Sequence, residues 1–440
     1  MSRHNHLDQT GRTRRLAPAP PWFVQWSDRL VAAGVCIIPL FIVLGAKDTF
    51  RLPKDVLFRA EAILLLAIAM VALILYRALP QIDSSRRFVL LPLLLAAWTA
   101  MATLLSTNRG RSIDSLATVC AGAIIYLATL AAARRSSFAV ILVAIIPALI
   151  NALVGALQEL DIWKPLPTPI DIPHHLRSTA FIGNPNDAGG YLAVVTVASL
   201  AAAVVSRSSR KSFAILTGLL VAGLLINQTL AAIIATTAGM IALLALVSWK
   251  RAAVAVIAIA IVLFSAFVIL PPLHQRFVNT RGWLEHRDYN AMMTGRLAPF
   301  VAAFMMFRDR PLTGVGPGCF AWQYMPYKIR AELAYPSLRS AFLRGTNFGE
   351  VHNDHLQLLA EEGVVGYGLS LAAMVALTAI SFRRRQHDPT DARYEFARLL
   401  ALPLAVTFFV LALGQFPLEL TVVMSQVLFF AALCIGWSGQ

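Results

Sequence analysis

Residues 352–366 read His-Asn-Asp-His-Leu-Gln-Leu-Leu-Ala-Glu-Glu-Gly-Val-Val-Gly. Proton-transfer groups and possible metal ligands are packed here into about four turns' worth of chain. His352 and His355 are three apart, so a helix through both would carry them on one face. Asn353 or Asp354 suits the N-cap of such a helix. Glu361 and Glu362 lie one to two turns deeper, and the glycines at 363, 366 and 368 allow close packing or a kink. Three readings of the residues stay open. The histidines are hydrogen-bonded members of an interfacial cap; or His352, His355 and a glutamate hold a metal; or one histidine works as an acid–base group near its working pH.

Two further motifs carry polar chemistry. Arg177 precedes Gly183-Asn184-Pro185-Asn186-Asp187, a good turn and helix start with Asn186 as a candidate cap. The same start aims backbone N–H groups outward beside a cation, which suits an anionic oxygen. Thr294-Gly295-Arg296 opens an amphipathic segment, and an arginine there is either a lipid anchor or a binding group. Lys54, Arg59, Arg276, Arg281 and Arg287 pose the same choice. The stretch Pro311-Leu312-Thr313-Gly314-Val315-Gly316-Pro317-Gly318 lacks the Lys-Ser/Thr ending of a phosphate loop, so its glycines read as turn formers.

The elements that must position these residues are membrane helices. The chain has 440 residues, 58% of them hydrophobic and only 14% charged, where a soluble protein carries roughly 25% charged residues. No Asp, Glu, Lys or Arg occurs in 188–206, 213–248 or 252–273. A span needs about 20 apolar residues, which predicts an all-α polytopic membrane protein of about twelve transmembrane helices. Their approximate bounds are 28–46, 61–77, 88–105, 116–133, 138–158, 187–206, 213–228, 230–248, 252–271, 356–381, 398–415 and 418–437. Asn227-Gln228-Thr229 is the expected tight turn between the seventh and eighth. The first span reads as retained rather than as a cleaved signal.

Arginines and lysines recur in every second loop, at Arg86-Arg87, Arg134-Arg135, Arg207 to Lys211, Lys250-Arg251 and Arg383 to Arg385. The positive-inside rule places those loops and both termini in the cytoplasm. The net charge of +15 is then a topology signal, with basic loops held at anionic membrane lipids, and no nucleic-acid partner is expected. The predicted layout is a basic tail over 1–27, nine spans over 28–270, a large outward loop over 271–355 and three spans over 356–440. The outward loops 47–61, 159–186 and 271–355 exceed hairpin length. The last is rich in aromatic residues and reads as a packed helical unit with a helix over Gly295–Phe307. Cys319 stands alone in it, so no disulfide or cysteine metal site is expected there. Ionisable groups are nearly absent at membrane depth and no repeat is visible, which argues against a transporter.

In order along the chain come Arg177 with Gly-Asn-Pro-Asn, then Thr-Gly-Arg, then Pro-Leu-Thr-Gly-Val-Gly, then His-Asn-x-x-Leu-Gln-x-x-x-Glu-x-Gly-x-x-Gly. This series resembles the O-antigen ligase and polymerase superfamily of bacterial inner membranes, by motif over about 140–382 and by topology over the whole chain. The resemblance implies a GT-C-type glycosyltransferase fold whose active site faces the periplasm. It implies metal-independent, inverting transfer of O-antigen from undecaprenyl pyrophosphate to lipid A–core oligosaccharide, with no cofactor. His352 matches the family's essential histidine, Arg296 its loop arginine and Arg177 the arginine before Asn-Pro-Asn; these are the implied catalytic residues. Asn184, Asn186, His355, Lys54, Arg59, Arg281 and Glu362 are the expected substrate-binding residues. Many members carry Ser-Arg-Gly where this chain reads Asn227-Gln228-Thr229-Leu230, with no arginine, and Arg177, Lys54 or Arg59 is the expected substitute. A polymerase and a protein O-oligosaccharyltransferase are the related alternatives. The latter usually has a longer periplasmic C-terminal region than a chain ending at Gln440 provides.

Overall fold

The computed structural model describes residues 22–76, 86–164, 166, 178–257, 281–286, 289–293, 295–339, 347–383 and 391–439. The described residues are helical with no strands. The bundle is built from α1 (Trp22–Ile37), α2 (Arg51–Tyr76), α3 (Arg86–Leu104), α4 (Arg109–Ala133), α5 (Leu142–Glu159), α6 (Pro185–Val205), α7 (Arg210–Asn227) and α8 (Leu230–Val247). Two shorter helices, α9 (Leu297–Asp309) and α10 (Phe320–Ala334), follow in the large loop. The chain then returns through α11 (Asp354–Thr378), α12 (Ala392–Ala412) and α13 (Thr421–Trp437). Ten described helices are long and apolar enough to cross a membrane, and α13 is a shorter apolar helix. The protein is therefore an all-α, multi-pass membrane protein. Residues 249–257 are helical, and the rest of the expected 252–271 span lies outside the described residues.

Burial differs sharply among the helices, and composition explains it. In α6, 83% of the apolar window is buried, against 22% in α3. Lipid tails are as apolar as leucine, so helices in a bilayer associate by close packing of small residues. The α6 sequence supplies Gly189, Gly190, Ala193, Ala198 and Ala201 to Ala203, all buried, and α5, α7, α8, α12 and α13 pack around it. By contrast, α2 turns Ile63, Leu64, Leu66, Ile74 and Leu75 outward, as a lipid-facing helix does.

Several helices begin earlier than hydropathy predicts. The segment 47–61, expected as a loop, is helical from Arg51 onward, with Pro53 in the first turn where its missing N–H costs nothing. Likewise α4 begins at Arg109 rather than 116, and α12 at Ala392 rather than 398. The physical reason is that the charged residues of these outer turns find partners. Arg59 of α2 binds Asp114 and Thr118 of α4, and Arg398 of α12 binds Glu395.

The two ends of the bundle have different characters. At one end Arg135 pairs with Asp28, Trp437 donates to the carbonyl of Ala133, and Arg393 donates to the carbonyls of Arg134 and Ser136. At the other end lie the starts of α2, α6, α8 and α11, the ends of α5, α7 and α12, and the loop helices α9 and α10.

At that second end α11 is broken. Gly363 adopts φ 68 and ψ −169, a region open essentially only to glycine. The Gly-rich stretch lies across the break: Val364 N–H donates to the carbonyl of Pro311, Val315 N–H to that of Ala360, and Gly316 N–H to that of Glu361. A Cβ on Gly363 would stand 2.2 Å from the oxygen of Leu312, so the strap touches backbone to backbone. The Glu361 carboxylate accepts the N–H groups of Gly318 and Phe320 at the start of α10. These glycines are turn formers that clamp the loop helices onto α11.

Candidate active site

The motif at 352–357 is a built helix start. Asn353 caps α11: its Oδ1 accepts the N–H of Leu356 at 3.0 Å, and its Nδ2 donates to the carbonyl of Leu413 at 3.0 Å. Asp354 accepts the N–H of Leu418 at 2.7 Å. Gln357 accepts the N–H of Val351 and donates to Glu419, both at 3.0 Å. The polar residues thus tie the start of α11 to the connector between α12 and α13.

That anchoring fixes His352 outside the helix, with φ 59. Positive φ is uncommon for a residue with a side chain, though His tolerates it better than most, and such strain is kept where the surroundings enforce it. The imidazole lies between two rings, Phe416 at 4.9 Å and Phe348 at 5.8 Å, each edge to face. Burial lowers its pKa to about 4, and the nearby cations Arg296 and Arg51 push the same way against a smaller opposing effect of Glu350. His352 is therefore neutral at pH 7 and able to accept a proton.

His355 points elsewhere. Its Nε2 lies 3.1 Å from the carbonyl of Phe409, and its ring packs on Phe409 and Tyr367. The shared helical face expected for the two histidines does not form, because the helix begins only at Asp354. Among the described residues no three His, Cys, Asp or Glu side chains are grouped as metal ligands.

Arg296 sits at the start of α9, with Nη1 3.2 Å from the carbonyl of Gly414. Among the described residues it pairs with no carboxylate. Burial pulls its pKa down, an unfavourable setting for a cation unless an anion joins it. Arg51 also lies near His352, stacking over Phe416 at 5.1 Å. It bonds Glu350 at 2.8 Å and Asp187 at 3.2 Å. Arg51 therefore links α2, the first turn of α6 and the segment leading into His352. The segment 47–61 shows charge in plenty, but nothing in its spacing separates Arg51 from Lys54 and Arg59. Only the fold picks it out.

The other candidates are placed as follows. Lys54 is buried and donates to the carbonyls of Phe41, Phe50 and Phe181 at 2.7 to 2.9 Å, which uses all three ammonium protons. Arg59 faces α4. Asn184, not Asn186, caps α6, accepting the N–H of Asn186 at 2.8 Å. The turn at Asn227 to Thr229 packs on this start, where Asn227 and Thr229 both donate to the carbonyl of Pro185. Glu362 is buried against Thr99 of α3, and Arg281 is exposed and paired with Glu285. Arg177 lies outside the described residues. The structure thus brings His352, Arg296 and Arg51 together, while Lys54, Arg59, Asn184, His355, Arg281 and Glu362 are engaged in bonds of their own.

Comparison with known proteins bears on this arrangement. Residues 213–371 match the family model described as O-antigen ligase. No curated protein matches the chain. The matched segment runs from α7 through α9 and α10 to the middle of α11, and so contains Arg296, His352 and the clamped break at Gly363. Over that segment the chain is similar to the O-antigen ligase family.

Proposed function

We propose that this protein is an O-antigen ligase: an inverting glycosyltransferase that moves O-antigen from undecaprenyl pyrophosphate to lipid A–core oligosaccharide in the bacterial inner membrane. The observation that carries the reading is a neutral imidazole, held by a strained backbone, beside a guanidinium without a carboxylate partner. In the proposed step an acceptor hydroxyl oxygen attacks the anomeric carbon of the donor sugar. The bond from that carbon to the pyrophosphate oxygen breaks, and undecaprenyl pyrophosphate leaves with the electron pair. His352 takes the hydroxyl proton. Attack opposite the leaving group inverts the anomeric centre.

Arg296, with Arg177 as a further candidate, stabilises the charge that develops on the pyrophosphate. Arg51 is a positioning residue, because Asp187 and Glu350 already occupy its guanidinium. The chemistry asks for no metal ion, and transfer is expected to persist in excess chelator. The site end faces the periplasm in this reading, with the basic loops and both termini in the cytoplasm, and the helix arrangement is that of a GT-C enzyme. A site at the bundle end suits a donor whose tail stays in lipid while its glycan stands in water.

The test uses purified protein, undecaprenyl-pyrophosphate-linked glycan and lipid A–core in detergent, with and without the core lipid. Glycan appearing on the core is the expected result. Glycan that grows only on the undecaprenyl carrier would replace this reading with a polymerase.

A further inference from the structure

Beside Phe348, which packs on His352, lies a small notch that the proposed reaction does not use. It is lined by Asn290, Tyr324, Lys328, Glu332, Leu338 and Phe348. Two of these side chains are almost wholly buried, Asn290 at 2% exposure and Tyr324 at 0%. The Asn290 Nδ2 donates to the carbonyl of Leu338 at 2.9 Å, which fixes the orientation of the amide. Its Oδ1 has no hydrogen-bond partner among the described residues, and neither has the Tyr324 hydroxyl. Buried polar atoms left unpaired are costly and rare in folded proteins, so two lining one notch point to a group that joins them.

The notch is coupled to the base by a row of rings. Tyr324 packs edge-on against Phe348 at 5.8 Å, and Phe348 packs edge-on against His352 at 5.8 Å. It is also coupled to Arg296, because the carbonyl of Asn290 accepts the N–H of Gly295 at 2.7 Å. The notch thus lies two ring contacts from His352, where a neighbouring part of a glycan rather than its reacting atoms would stand.

The chemistry of the two atoms selects the guest. The amide oxygen of Asn290 accepts only, so the guest must donate. The phenol of Tyr324 donates or accepts. A hydroxyl meets both needs, giving its proton to Asn290 and receiving that of Tyr324. A phosphate or carboxylate oxygen has no proton for Asn290, and an apolar group satisfies neither. The space suits one oxygen-sized group rather than a whole ring.

We propose that Asn290 and Tyr324 bind one hydroxyl of a sugar in a glycan that reacts at His352, and so help to select that glycan. The inference rests on the proposed glycosyl transfer for the identity of the ligand. A site built to hydrogen-bond a hydroxyl discriminates strongly against an analogue lacking it, because its own polar groups are then left unpaired.

The test is Tyr324→Phe, which removes the hydroxyl and keeps the ring in its stack. Dissociation constants are measured in detergent for three probes: undecaprenyl-pyrophosphate-linked O-antigen, delipidated core oligosaccharide, and glycan-free undecaprenyl pyrophosphate. The expected result is a roughly three- to tenfold weakening for one of the two glycans. Undecaprenyl pyrophosphate should bind unchanged, and the melting temperature should not fall, since an unpaired hydroxyl contributes nothing to the fold. Weakening of the O-antigen assigns the notch to the donor, and weakening of the core assigns it to the acceptor. Wild-type affinity for both glycans in the variant would overturn the proposal and leave a crevice that holds water only. A wild-type protein that shows the Tyr324 dependence but transfers nothing would overturn the proposed reaction and leave the notch standing. Failure of the wild type to bind either glycan would overturn both.

Discussion

The two flanks of His352 are built on opposite principles. On the side of α2 and α6, the charged side chains at the helix starts, Arg51, Lys54, Asp55 and Asp187, are already bonded. Arg51 joins Asp187 and Glu350, Lys54 holds three carbonyls, and Asp55 is bonded by Thr421. On the side of α9 and α10, Arg296 bonds one carbonyl, and Asn290 and Tyr324 carry buried atoms with no partner among the described residues. Satisfied networks hold a structure in place, and unsatisfied ones are kept where something else completes them. The first flank is the frame of the site and the second its receptive face. Substitutions on the first should then act on stability, and those on the second on activity.

The largest effect is expected at the residue between them. His352→Ala should lower transfer by about 10²- to 10⁴-fold, the range for loss of a general base. The variant should still extract from the membrane as a folded monodisperse protein, and near-normal transfer would remove the base assignment. The same residue predicts the pH profile. With a folded pKa of about 4, below the ordinary histidine value, His352 stays neutral as pH falls from 8 towards 5. The kcat/KM for the free enzyme should fall only as pH drops through about 4. Bound pyrophosphate would offset the repulsion from Arg296 and Arg51, so the acid limb of kcat should lie at higher pH. The linked stability has the same sign: between pH 6.5 and 4 the unfolded chain binds the proton and the folded protein does not, so stability falls with pH across that window. Coincident acid limbs for kcat and kcat/KM would separate Arg296 from the donor.

Next in size, Arg296→Ala should cost about 10²-fold in transfer, as for loss of one donor to a developing anion. Its melting temperature should stay close to that of wild type. Arg51→Met should show the reverse balance. It leaves the buried Asp187 unpaired, but Arg51 is itself partly exposed, so the cost should fall between the surface and buried cases, about 2 kcal/mol. A thermal melt reads this, and the activity that remains should retain wild-type KM for the donor. A raised donor KM with unchanged stability would move Arg51 from the frame to the receptive face. The smallest effect is expected for Arg281→Ala, an exposed i,i+4 pair with Glu285, which should change both transfer and stability by less than twofold and about 0.5 kcal/mol.

Much of the architecture was legible because lipid imposes strong rules on composition. Uncharged runs such as 213–248, with Asn227 to Thr229 as the turn, read as helices, since only helices and closed barrels satisfy a backbone in hydrocarbon and these runs are far longer than a barrel strand. Helix ends were less legible. Arg51, Lys54 and Arg59 read as loop residues because their partners, Asp187, the carbonyl of Phe181 and Asp114, are far away in sequence.

For the site the division is similar. His352 and Arg296 stood out through residue type and motif order, which belong to the sequence. Arg51 did not, because its meaning comes from which helices meet at the bundle end. The spacing of His352 and His355 was misleading for the same reason: spacing implies a shared face only inside a helix, and the cap at Asn353 leaves His352 outside it. The sequence by itself determined that this is a helical membrane protein, and it marked a histidine motif with a candidate helix cap. Only the tertiary structure decided which charges are used up and which remain open, because pairing is a property of distances between elements, and those are set by packing.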